Sequence, residues 1–214
     1  MGEAARILNE RYTFGDYLLW PEDERWELID GVAYSMSPSP SWRHQGLAGE
    51  LFAQLRSFLK DSPCRVFMAP LDVLLPEEGE KDLPDADLDT VVQPDLVVIC
   101  DPDKLGERAV RGAPDIAVEV LSPYSWDRDL RLKIRAYEDR GVREYWVLDG
   151  GNRVLTVYGR DESGHFQATT SLVAPSSREH VKATSDGANL NAAISSVLPG
   201  FGLDLTALFR AAEI

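Results

Sequence analysis

Cysteine occurs only twice in the 214 residues, as Cys64 and Cys100, far apart and outside any CxxC pair. That scarcity excludes a disulfide framework and a cysteine-rich zinc site, and each thiol is expected as a small buried hydrophobe in the core. Long apolar runs are missing as well. No stretch approaches the ~18 uninterrupted apolar residues of a membrane span, and residues 1–30 hold no basic segment leading into an apolar one. A soluble, cytoplasmic protein with no membrane partner is the expectation. The P-loop, GxGxxG, HExxH and GxSxG patterns are all absent, which sets aside several common phosphate-cradling, metalloprotease and serine-hydrolase chemistries.

Positive charge is in deficit: 22 Lys and Arg stand against 36 Asp and Glu, a net charge of -14. A general nucleic-acid binder is thereby disfavoured, because such binding is driven by neutralising phosphates. The acidity is local, however. Eleven acids and two lysines lie between Glu77 and Glu107, whereas seven acids and eight bases lie between Glu119 and Arg160. The later half can still present a basic face.

What is present is ordinary globular composition, 44% hydrophobic and 27% charged. One core and a single domain over residues 1–214 are expected. Thr13-Phe14-Gly15-Asp16 fits a capping box before a short helix ended by Pro21. Residues 26–36 read as two strands around the Asp30-Gly31 turn. After the Ser-Pro loop of 37–41, His44, Leu47, Ala48, Leu51, Phe52, Leu55, Phe58 and Leu59 recur at helical spacing, predicting a helix over about 42–60. Residues 65–75 read as a strand, or two, leading into an acidic loop at 76–90. Val97-Val98-Ile99 and Ile116 to Leu121 read as central strands buried on both faces. A helix from about 127 to 140, stopped by Gly141, leads to a strand at 144–149, so a crossover and a partly parallel sheet are expected. A hairpin at 154–173, a loose loop at 174–188 and a short terminal helix burying Leu205, Leu208 and Phe209 complete the reading.

The chemistry that remains is acidic. Asp95 opens one buried strand and Glu119 lies near the end of another, and a carboxylate within Ile-Ala-Val-Glu-Val-Leu is costly to bury unless a cation or hydrogen-bond donors stabilise it. Two readings stay open here. Glu119 pairs with an arginine while Asp95 caps the turn after Pro94, or both hold one hard cation, for which magnesium suits and zinc does not. In the second reading the carboxylates lie within about 6 Å of each other, since one ion at ~2.1 Å from each ligand oxygen must bridge them. Lys133 sits about 60° from Leu130 around its helix at ~100° per residue. It either turns its ammonium towards the sheet end or keeps it in water. His44, on the apolar stripe of its helix, reads as a structural histidine before a catalytic one.

Six pieces in order carry a resemblance: Trp26-Glu27-Leu28-Ile29-Asp30-Gly31, the Ser-Pro loop followed by His44, Gln93-Pro94-Asp95, Val118 to Pro123, Asp129 with Lys133, and Gly141 to Trp146. Over roughly residues 13–159, with a weaker echo at 201–209, the chain resembles the Uma-two family of restriction-endonuclease-like proteins in the PD-(D/E)XK superfamily. The resemblance implies an α/β (mixed α+β) fold, with a central mixed sheet flanked by helices and a site at one sheet end. It implies a metal-dependent endonuclease acting on nucleic acid, DNA foremost; since a double-strand cut by a one-site fold needs two copies and two-fold dimers are the commonest soluble oligomer, a homodimer is expected. Asp95 would match the Asp of the PD motif and Glu119 the acid of (D/E)XK. With the Val120 carbonyl they would hold Mg2+, or Mn2+ in its place. Glu27 matches an acid at the start of the superfamily core, where it could hold a second metal or a metal-bound water, and His44, Asp129 and Gln93 stand at supporting positions. Leu121 occupies the place of the motif lysine, so Lys133 is the candidate to supply that charge. Two other readings stay open: a nuclease-fold protein that binds without cutting, and a metal-dependent hydrolase of another phosphoester.

Overall fold

The computed structural model describes residues 11–21, 23–36, 39–121, 128–174 and 194–213. Its first helix, α1 (Phe14–Tyr17), starts from a capping box in which Thr13 Oγ1 accepts from the Asp16 N–H and Asp16 Oδ2 accepts from the Thr13 N–H. Strands β1 (Trp26–Ile29) and β2 (Val32–Ser35) form the expected hairpin. Asp30 and Gly31 both take positive φ, 51° and 73°, as a two-residue turn matched to strand twist requires. Helix α2 (Trp42–Phe58) is capped by Ser41 Oγ, which accepts from the His44 N–H, and it buries Leu47, Ala48, Leu51 and Leu55.

The strands make two mixed sheets rather than one. In the five-stranded sheet the order is β2, β1, β5 (Val91–Val92), β4 (Asp72–Leu74), β7 (Ala109–Arg111). In the six-stranded sheet it is β11 (Phe166–Val173), β10 (Val154–Arg160), β9 (Glu144–Asp149), β8 (Ile116–Leu121), β6 (Leu96–Ile99), β3 (Arg65–Met68). Parallel β8 and β9 are joined through α3 (Arg128–Asp139), the crossover expected from the sequence. Gln93, Pro94 and Asp95 alone carry the chain from β5 in one sheet to β6 in the other. That link therefore lies where the two sheets meet.

Side chains alternate across the six-stranded sheet. Ile116, Val118 and Val120 pack with Leu47, Leu51, Trp146 and Phe201 on the α2 side. Ala117 packs with Ala136, Tyr137 and Tyr145 on the α3 side, together with Val73 and Val92 of the other sheet. The terminal helix α4 (Leu205–Arg210) closes the α2 side with Leu205, Leu208 and Phe209. Most of the loop expected at 174–188 lies outside the described residues.

One expectation is corrected. Cys64 and Cys100 are not separate thiols but are joined as a disulfide. The antiparallel register of β3 and β6 pairs Arg65 with Ile99, and one residue further sets Cys64 opposite Cys100. Sequence spacing hid a pairing that strand register creates.

Gly46 shows how closely α2 and the tail approach, since a Cβ there would lie 2.2 Å from the Ala211 carbonyl oxygen. Gly46→Ala must push the tail off α2, and overpacking of this kind costs about 1–3 kcal/mol. A denaturation midpoint lowered to match is expected, and an unchanged midpoint would mean that the two segments separate freely.

Candidate active site

The pairing of β6 with β8, carried one residue beyond Leu96 and Val118, sets Asp95 opposite Glu119. Facing residues of an antiparallel pair have Cα atoms about 4.5–5.5 Å apart. Asp95 Oδ2 accepts a 2.7 Å bond from the Val120 N–H and lies 3.2 Å from His44 Nε2 in the first turn of α2. Asp95 thus holds the neighbouring strand rather than capping the turn after Pro94.

Strand alternation turns Glu119 to the opposite face from Val118 and Val120, towards α3. There its Oε1 accepts from Lys133 Nζ at 2.8 Å and from the Tyr137 hydroxyl at 2.9 Å. These two residues are four apart and so stand one above the other on the helix. Glu119 therefore pairs with a lysine and not with an arginine. Lys133 Nζ is also 2.9 Å from Glu27 Oε1, and that oxygen accepts 2.8 Å from the Gln93 N–H. The Lys133 side chain is only 13% exposed, so its ammonium is turned into the protein. Gln93, Glu27, Lys133 and Glu119 form one chain of contacts, and His44 with Asp95 forms a pair beside it. The side chain of Asp129 lies outside the described residues, as do Ser122 and Pro123.

Two carboxylates, Glu27 and Glu119, close on the ammonium of Lys133, and Asp95 stands beside Glu119 on the neighbouring strand. Burial raises the Glu119 carboxyl above its ordinary range, and Asp95 and Glu27 add to this while Lys133 opposes it. Lys133 is raised as well: burial favours its neutral form, but Glu119 and Glu27 outweigh it and hold its proton on. Burial also lowers His44, yet the Asp95 acceptor, Glu119 and the Val120 backbone together leave it raised. Negative charge is thus in excess at the rim where Asp95 and Glu119 meet. Among the described residues no three His, Cys, Asp or Glu side chains gather around one point for an ion. Glu27 faces Lys133 and Gln93 instead. Asp95 and Glu119, facing each other across the two strands, fit a magnesium-like ion, which takes one or two carboxylates and completes its shell with water.

Further residues join the site. Tyr137 stands four residues after Lys133, a spacing that signals a shared partner. Gln93 carries a second network. Its Nε2 donates to Asp72 Oδ1 at 2.8 Å and to the Tyr17 hydroxyl oxygen at 3.1 Å, and its Oε1 accepts 2.8 Å from Arg25 Nη2. The Tyr17 hydroxyl in turn donates to Asp72 Oδ1 at 3.0 Å. Burial and the adjacent Asp72 push this phenol up to about 12, so it remains a donor. No signal in the sequence joins Tyr17, Arg25 and Asp72, which come from three separate elements.

A mixed α+β fold of this topology, with acids from both sheets and a helical lysine at one rim, defines a restriction-endonuclease-like protein. Residues 14–193 match the model of the Uma2 family, described as "Putative restriction endonuclease", and the chain belongs to that family. Among solved structures it is similar to the crystal structure of "a putative nuclease belonging to DUF820 from Anabaena variabilis", with a TM-score of 0.67. The likeness covers 94% of this chain and 98% of that one at 19% identity, and is one of fold. No curated protein matches the chain. Among the described residues, no helix is long and apolar enough to cross a membrane.

Proposed function

We propose that the protein is a divalent-metal-dependent endonuclease that hydrolyses phosphodiester bonds of DNA. The observation that carries the reading is the coupled set of Asp95 and Glu119 facing each other across two strands, with Lys133 held against Glu119 and Glu27. Asp95, Glu119 and the Val120 carbonyl would hold Mg2+, with Mn2+ able to substitute. Such an ion supplies Lewis-acid polarisation of a phosphate oxygen and a bound water of lowered pKa.

The chain's own residues do the rest. Lys133 carries a proton-saturated ammonium beside Glu119, where it orients the attacking water and offsets charge that develops on the phosphate. Glu27 keeps that ammonium from swinging to solvent. The Tyr137 hydroxyl, on the same Glu119 oxygen as Lys133, fixes the carboxylate and leaves its other oxygen for the ion. His44 and the Val120 N–H hold Asp95 Oδ2 in the same way. In-line attack then yields a 5′-phosphate and a 3′-hydroxyl. The lysine role thus falls to α3, because position 121 of the strand is a leucine.

Cleavage of supercoiled plasmid, RNA and small phosphodiesters with Mg2+, with Mn2+ and with chelator tests this. Metal-dependent cutting of the plasmid alone is the expected result. Linear product formed without a nicked intermediate would come from two copies acting together, as a homodimer of the commonest symmetric kind would. Nicking alone would leave a monomer, and cutting of only the small phosphodiesters would overturn the nuclease reading.

A further inference from the structure

Arg25 stands one step outside the carboxylate cluster, and nothing in the mechanism above uses it. Its carbonyl accepts from the Met36 N–H at 2.9 Å, which extends the β1–β2 ladder by one residue beyond Trp26 and Ser35. Arg25 and Glu27 are therefore two apart on extended chain and project from the same face. Both close on Gln93: Arg25 Nη2 donates to its side-chain oxygen, and Glu27 accepts from its main-chain N–H. Glu27 reaches Lys133, and Lys133 reaches Glu119.

The guanidinium is peculiar in its company. Among the described residues it forms no ion pair with any carboxylate, its one hydrogen bond is to a neutral amide, and its Nε is buried without a partner. Asp72 is close by but is engaged by Tyr17 and Gln93. The bond to Gln93 Oε1 is thus the only compensation for the burial of part of this cation among the described residues. In a chain of net charge -14, the neighbouring carboxylates would have supplied an ion pair at little cost in sequence. Arginine's planar fork is also the side chain best matched to a phosphate.

Resting on the nuclease reading, we infer that Arg25 binds a backbone phosphate of the nucleic acid next to the scissile one, with Gln93 holding the guanidinium in place. Gln93, which holds the guanidinium, stands two residues before Asp95, and two residues of chain span at most about 7 Å, of the order of the separation between successive phosphates of one strand. Arg25 and the Asp95–Glu119 pair then grip neighbouring links of the same backbone. The net acidity of the chain makes one well-placed cation count for more than it would on a basic surface.

The test is equilibrium binding of labelled single-stranded and duplex DNA by the whole protein with Ca2+, across about 50–200 mM salt. Arg25→Gln should weaken binding roughly ten-fold, as loss of one charge-assisted contact does. It should also lower the slope of log affinity against log salt by about 0.7–0.9, the share of one phosphate. Arg25→Lys should restore the slope. Wild-type protein that binds DNA while Arg25→Gln leaves the slope unchanged overturns this inference and spares the nuclease reading. Wild-type protein that binds neither DNA overturns both. Should Arg25→Gln fail to fold, a scan of neutral methylphosphonate linkages with wild-type protein decides the matter. Loss confined to a phosphate beside the cut supports the assignment, and indifference at every neighbouring position overturns it.

Discussion

Asp95→Asn and Glu119→Gln are expected to abolish divalent-metal binding and cleavage together, because each removes one of the only two carboxylates that face each other across β6 and β8. The amides preserve shape, so loss of function is separable from loss of fold. For Glu119→Gln the stability change has a definite sign. Burial, Asp95 and Glu27 disfavour the ionised Glu119 carboxylate, and Lys133 only partly offsets them. Neutralising the side chain relieves that repulsion, and Lys133 keeps Glu27 as its counter-charge at 2.9 Å. In chelator the variant should melt no lower than wild type, a trade of function against stability familiar at active sites. Added Mg2+ should raise the wild-type melting temperature by linkage, about 2.7 kcal/mol at a hundred times the dissociation constant. It should leave Glu119→Gln unmoved. A metal-dependent stabilisation that survives in both variants would place the ion elsewhere and sink the proposed site.

How much of this could be read beforehand depended on whether the signal was local. Asp30-Gly31 announces its turn, the stripe from His44 to Leu59 announces α2, and Ile116 to Leu121 can hardly be other than a buried strand; all three are found. Asp95 and Glu119 are legible because each is a charge next to an apolar strand run. Contacts set by register or by sheet-to-sheet packing carry no such mark. β5 has two residues and β7 three, too short for any periodicity, and with them the division into two sheets stayed hidden. The disulfide follows from the β3–β6 register alone. Arg25, Tyr17 and Asp72 meet at Gln93 only because α1, the β1 hairpin and β4 converge there. Lys133 lies between these cases: its place about 60° from Leu130 around the helix is legible at ~100° per residue, but its partners are not.

Lys133→Met is expected to lower turnover by on the order of 100-fold or more, as removal of one preorganised electrostatic partner of a transition state does. The same change should leave Mg2+ affinity equal or higher. The Lys133 ammonium sits 2.8 Å from Glu119 Oε1 and competes with a metal ion for that negative charge, so its loss makes the rim more attractive to a cation. A drop in turnover with undiminished metal binding belongs to a group acting in the transition state rather than in the ground state. Stability should move in the opposite sense to that of Glu119→Gln. Without the ammonium, Glu119 and Glu27 are buried, at 13% and 8% side-chain exposure, with no cation between them. Breaking a buried pair by removing one partner costs about 3–5 kcal/mol, and the variant should therefore melt well below wild type in chelator. Mg2+ should recover part of that loss by supplying positive charge at Glu119. If turnover falls only a few-fold while the melting temperature drops as described, Lys133 is a structural counter-ion. The protein would then be a metal binder on a nuclease scaffold, with its catalytic cation missing from both position 121 and position 133.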